Sequence, residues 1–150
     1  MKKEPLNPKE LESSFRAGNF DEVTQCYSEI EALSEASRCL QCKKPLCIDG
    51  CPVGIDIKKF ILQITQKDYS GACLTIREKN NFPSICGRVC PAEYQCRKAC
   101  VLTKIGLPFA SENAINIHYL ERFAGDYGID CKRRISFPKE GRLSKLKVAV

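Results

Sequence analysis

The chain has 150 residues, room for about one domain with a modest core and too little for a separate catalytic domain beside it. Its formal charge of +6 sits in residues 132–150, where seven Lys and Arg stand against Glu140 alone, while the first 131 residues balance seventeen basic with seventeen acidic side chains. A basic tail on a neutral domain reads as a solvated linker and argues against nucleic-acid binding, and no apolar run approaches the ~18 residues of a membrane helix.

Residues 1–18 read as an arm and a short helix. Pro5 and Pro8 deny a helix until Lys9, and a helix over Lys9 to Ala17 would set Leu11 and Phe15 on one face before Gly18 stops it. No signal-peptide core follows Met1-Lys-Lys-Glu-Pro, so the expectation is a soluble, cytoplasmic chain. Residues 19–23 begin a turn. Ser28 and Glu31 form a capping box for a helix over Glu29 to Arg38, carrying Ile30, Leu33 and Ala36, which delivers Cys39 at its end. Pro45, Gly50 and Pro52 then break regular structure.

Asp56 caps a helix with the apolar stripe Ile57, Phe60, Ile61 and Ile64, ending near Lys67. A second stripe, Ala72, Cys73 and Ile76, runs to Glu78, with Cys73 as a small core hydrophobe. Asn80-Asn-Phe-Pro83 is a turn between the halves. Ile115, Tyr119, Leu120, Phe123 and Tyr127 fit a last amphipathic helix stopped by Gly128, on which His118, the one histidine, is packed or solvated. Lys147-Val-Ala-Val150 reads as the opening of a buried strand. No long alternating segment precedes it, so the domain over residues 19–130 is expected to be all-α, with 131–150 as a basic linker.

Eleven cysteines are an odd number, and disulfides do not persist in a reducing cytosol, so metal ligation is the better reading of the thiols. Eight of them fall in two clusters. Cys39-Leu-Gln-Cys42-Lys-Lys-Pro-Leu-Cys47-Ile-Asp-Gly-Cys51-Pro52 puts four in thirteen residues, and Cys86-Gly-Arg-Val-Cys90-Pro91-Ala-Glu-Tyr-Gln-Cys96-Arg-Lys-Ala-Cys100 puts four in fifteen. In two-cluster bacterial ferredoxins the Cys preceding a proline crosses to the other 4Fe-4S cluster. On that logic Cys39, Cys42 and Cys47 form a trio completed by Cys100, while Cys51 crosses to join Cys90 and Cys96. The tether from Cys47 to Cys51 cannot exceed about 14 Å, so two such clusters are neighbours placed for electron relay. The alternative is a zinc-scaffolded binding module using the basic tail. Zinc prefers repeated C-x2-4-C knuckles, and only Cys39-x2-Cys42 is so short a pair.

Four segments, Glu35-Ala-Ser-Arg-Cys39-Leu-Gln-Cys42, Gly50-Cys-Pro-Val-Gly-Ile-Asp-Ile57, Asn81-Phe-Pro-Ser-Ile-Cys-Gly-Arg-Val-Cys-Pro91 and Leu120-Glu-Arg-Phe123, resemble one family over roughly residues 19–127. It is the N-terminal iron-sulfur domain of the glutamate synthase small (beta) subunit, of dihydropyrimidine dehydrogenase and of related NAD(P)H-dependent flavin oxidoreductases. The resemblance implies an alpha-helical ferredoxin fold with two 4Fe-4S clusters and no catalysis of its own. Electrons would pass between an FAD, reduced by NAD(P)H on a following domain, and a second redox site, such as that of a glutamate synthase large subunit or another partner subunit. The Gly-rich dinucleotide fingerprint of that following domain is not among these residues. For the eighth ligand, composition nominates Cys86. The resemblance implies instead a Gln or Glu side chain on the last helix, which here is Glu121.

Overall fold

The computed structural model describes residues 4–104 and 113–130. Within them the chain is helical, with an isolated antiparallel bridge from Glu10 to Thr24 and no strand. The helices are α1 (Ser13–Arg16), α2 (Glu29–Ala36), α3 (Leu46–Asp49), α4 (Ile57–Thr65), α5 (Tyr69–Arg77), α6 (Pro83–Val89) and α7 (Ile117–Asp130), with 3-10 turns at Ala92–Tyr94 and Val101–Lys104.

Helices α2, α4 and α5 begin where a side chain accepts from the free N–H groups of the first turn. Ser28 and Glu31 close the expected capping box on α2, the Ser28 N–H donating to Glu31 Oε2 at 2.8 Å. Asp56 accepts from the Lys59 N–H at 3.0 Å to start α4, and Asp68 from the Gly71 N–H at 2.9 Å to start α5. The stripe of Ile57, Phe60, Ile61 and Ile64 is buried as its spacing requires, and it meets Ala72 and Ile76 of α5, Ala32 and Ala36 of α2, and Ile117 and Leu120 of α7 in one core. Each of these large side chains contributes about 1.5–3 kcal/mol by leaving water.

Helix α6 packs closely against α7, and two glycines permit it. A Cβ on Gly87 would fall 2.6 Å from the Arg122 backbone nitrogen, and one on Gly125 would fall 2.5 Å from that of Ser84. The two helices therefore run antiparallel with backbones in near contact, and any larger residue at either position forces them apart.

Several expectations are corrected. The helix read over Lys9 to Ala17 shrinks to Ser13–Arg16 and buries nothing. Lys9 and Leu11 instead pair with Gln25 and Val23 through bonds of 2.8 and 2.9 Å, and Phe15 stays 58% exposed, so the helical stripe there has no core to enter. Gly128 does not stop the last helix. It is buried inside α7, where packing outweighs its low helix propensity. The arm read as frayed is tied down from Leu6 onward, its N–H donating to Glu35 Oε2 at 2.9 Å while its carbonyl accepts from Asn116 Nδ2 at 2.9 Å and from the Tyr27 hydroxyl. The basic tail and the strand read at Lys147 lie outside the described residues.

Candidate metal centre

The residue that fixes where the first cysteine motif starts is Glu35, which is wholly buried near the end of α2. Its carboxylate accepts from Arg38 Nη1 at 2.6 Å, from the Leu6 N–H at 2.9 Å and from the Asn116 N–H at 2.9 Å. Arg38 in turn donates to the Asn113 carbonyl at 2.6 Å. A buried charge survives only when paired and bonded this fully. The pair locks the end of α2 to the approach of α7, and Cys39 follows one residue later.

From there the chain turns sharply. Gln41 takes φ +49°, the left-handed region that few residues other than glycine adopt. Its Nε2 donates to the Lys58 carbonyl at 3.3 Å and to Cys39 Sγ at 3.5 Å. Cys47 lies on α3, and Cys51 follows that short helix with its N–H on the Ile48 carbonyl. The structure brings Cys39, Cys42, Cys47 and Cys100 onto the wall of one cavity, backed by Ile57 and Ile61 of α4 and Ile117 of α7. The four thiols thus share one wall of a pocket that opens to solvent.

Burial pushes the Cys47 thiol up to about 12, with Cys100 and Cys39 adding to it. Burial likewise raises Cys39, opposed by the Gln41 N–H and reinforced by Cys100 and Cys42. Thiols crowded this way ionise together only if positive charge arrives among them, so the set fits a metal-sulfur group that supplies it.

The second set gathers around Cys96, which is buried. Its thiol is pushed up to about 12 by burial first and then by Cys51, Cys90 and Glu121. Cys90, at the end of α6, is raised by burial, then Glu121, Cys51 and Cys86. Glu121 is 7% exposed on α7, within the reach that the Gly87 contact creates, and burial lifts its carboxyl to about 7 against a hydrogen bond from Asn80 Nδ2 of 2.7 Å. Among the described residues it has no ion-pair partner, so a cation beside it would satisfy an otherwise isolated buried charge. Cys86 adjoins Cys90 but turns its Sγ to Asn80 Oδ1 at 3.5 Å.

The two sets touch through Gly50. A Cβ there would fall 2.8 Å from the Ala99 Cβ and 3.3 Å from the Cys96 Cα, so only glycine lets the first motif lie against the second. Among the described residues no three His, Cys, Asp or Glu side chains converge on a point a single ion could share. A cubane takes its ligands at separate corners and does not require that convergence.

The family model described as dihydropyrimidine dehydrogenase domain II, 4Fe-4S cluster, matches residues 16–133. The chain belongs to that family. It is a 4Fe-4S ferredoxin-type electron-transfer domain of the dihydropyrimidine dehydrogenase type. The NAD-dependent dihydropyrimidine dehydrogenase subunit PreT of Escherichia coli K12 is 35% identical over 128 residues, 85% of this chain and 30% of that protein. The subunit of the same name from Salmonella typhimurium LT2 is 37% identical over 130 residues, 87% of this chain and 30% of that protein. The chain thus spans about 30% of the length of the curated relatives it matches. Among the described residues no helix is long and apolar enough to cross a membrane.

The remaining sequence candidates stand apart. Cys73 is 1% exposed in the core, as its stripe implies. His118 has its ring centroid 3.9 Å from that of Tyr119, and burial followed by the charge of Arg97 lowers it to about 4. Gln41, Asn80 and Gly50 were not legible as site residues, since nothing in their local pattern announces which backbone or thiol they meet.

Proposed function

We propose that the chain carries two 4Fe-4S clusters, the first on Cys39, Cys42, Cys47 and Cys100 and the second on Cys51, Cys90, Cys96 and Glu121. The observation that carries this reading is the single cavity lined by Cys39, Cys42, Cys47 and Cys100, three from one motif and one from the other. Cys47 and Cys51 are four residues apart on and just after a helical turn, a rise of about 6 Å, so one short segment ties both sets together. When bound, such clusters pass single electrons. The protein's part is to hold the two ligand sets rigidly adjacent, to wall the first with isoleucine and to give the second a carboxylate.

The relay would run from an FAD, reduced by NADH on a following domain, to a second redox site. The relatives' NAD-dependent name supports NADH as donor and a dihydropyrimidine dehydrogenase-type partner as acceptor. The same name gives less support to a glutamate synthase large subunit. A cytoplasmic location suits thiols that must stay reduced until loaded. Anaerobic reduction tests the relay. Dithionite should bleach the iron-loaded chain directly, whereas NADH should bleach it only when a flavin-bearing domain is supplied. A visible spectrum indifferent to dithionite, or reduction by NADH without flavin, would exclude it.

A further inference from the structure

We infer that Asn80 is the positioning residue that selects Glu121 over Cys86 as the eighth ligand. The inference rests on the ligand reading above and adds the device that decides between its two rivals.

Asn80 sits just past α5, its N–H held by the Ile76 carbonyl at 2.9 Å. Its side chain makes three contacts, and the first orients the other two. Asn80 Oδ1 accepts from the Phe82 N–H at 2.9 Å. A backbone N–H can only donate, so the amide cannot be flipped, and Nδ2 must point the other way. There it donates to Glu121 Oε1 at 2.7 Å. One carboxylate oxygen is thereby pinned and the other is left for the space shared with Cys90 and Cys96. Holding a ligating carboxylate through its second oxygen is how outer-shell groups commonly orient metal ligands.

The same fixed amide acts on Cys86. Cys86 Sγ lies 3.5 Å from Asn80 Oδ1, an acceptor, so the sulfur satisfies that contact only as an S–H donor. That contact engages the Cys86 sulfur as a donor, while the bond to Glu121 Oε1 leaves the other carboxylate oxygen for a ligand role. The Phe82 N–H sets both outcomes, because it fixes which end of the amide faces which rival.

Asn80→Asp keeps an acceptor for the Phe82 N–H but replaces the donor to Glu121 with a carboxylate oxygen, and Asn80→Ser removes the donor with a smaller acceptor. Both would be made in the iron-loaded chain and read by EPR of the reduced protein and by iodoacetamide labelling of Cys86 located by mass spectrometry. The wild-type chain should label at Cys86 with both cluster signals intact. In both variants the signal of the first cluster should persist, while that of the second shifts and Cys86 labelling falls at least several-fold as its sulfur is recruited. A fall from about eight to about four irons with Cys86 still labelled would overturn the selection of one rival over the other, since the second cluster would then be lost without Cys86 competing for its place. Unchanged EPR and labelling in both variants would overturn it, as would loss of both clusters in both, which marks a merely structural role. Cys86→Ala separates the levels. If it alone abolishes the second cluster, the ligand reading fails; if it is silent while Glu121→Ala alters the second signal, that reading holds whatever Asn80 does.

Discussion

The two donor sets differ in chemistry and in how the fold assembles them. The first is four thiols against an apolar wall, three delivered by one loop whose turns are set by Gln41 and α3. The second, as proposed, mixes three thiols with a buried carboxylate, and its Glu121 sits on the α7 that Gly87 and Gly125 allow to meet α6. Ligands close in sequence need little more than a turn to converge, whereas one from a distant helix needs helix packing to the nearest ångström. A harder oxygen donor and a neighbouring amide also make the second set electronically distinct, so two clusters bound here should differ in potential.

The largest effect that separates the sets comes from Cys100→Ala. Iron should drop from about eight to about four per chain with the second cluster's EPR signal retained, since Cys100 closes only the first set. Loss of both signals together would mean that the sets are not independent. Next comes Glu35→Ala, which removes the charge partner of Arg38 and leaves the Leu6 and Asn116 N–H groups without their acceptor. It should cost about 3–5 kcal/mol of unfolding free energy in urea titration of the iron-loaded chain, and the first cluster should be lost first on standing.

Gly87→Ala sharpens the comparison from the other side. A methyl group 2.6 Å from the Arg122 backbone must push α7 outward, at a cost of about 1–3 kcal/mol. The second cluster's signal should broaden or vanish while the first is unaffected. The smallest effect is a pH dependence. His118 is lowered to about 4 by burial and by Arg97, below its unfolded value near 6.5. It therefore binds a proton more weakly folded than unfolded, costing nothing above about pH 6.5 and removing stability as the pH falls from there towards 4. Between pH 7 and pH 5, His118→Asn should flatten the stability profile by about 1–2 kcal/mol, an amount discounted for the part of the ring that meets solvent. A parallel loss in wild type and variant would assign the acid sensitivity to other groups.

The helical fold was legible because caps and apolar stripes agreed at Ser28, Asp56 and along Ile57 to Ile64. It failed at the N-terminus, where Leu11 and Phe15 carry a helical spacing but Phe15 stays exposed and Leu11 pairs its N–H with Val23, and at Gly128, where burial inside α7 overrides a stop signal. The grouping of Cys39, Cys42 and Cys47 was legible because loop thiols carry their spacing with them, while Cys100 reaches the same pocket wall from the other motif. Glu121 was not, since a lone Glu on an amphipathic helix looks solvated until α6 covers it, and only the family resemblance singled it out. Asn80 was invisible for the same reason, its partners lying 41 and 6 residues away.

Two 4Fe-4S clusters on one small helical domain are the central claim, and iron with acid-labile sulfide, counted in chain purified without air, measures it most directly. About eight of each per chain are expected. About four of each, or stoichiometric zinc in protein produced with ample iron, would contradict it.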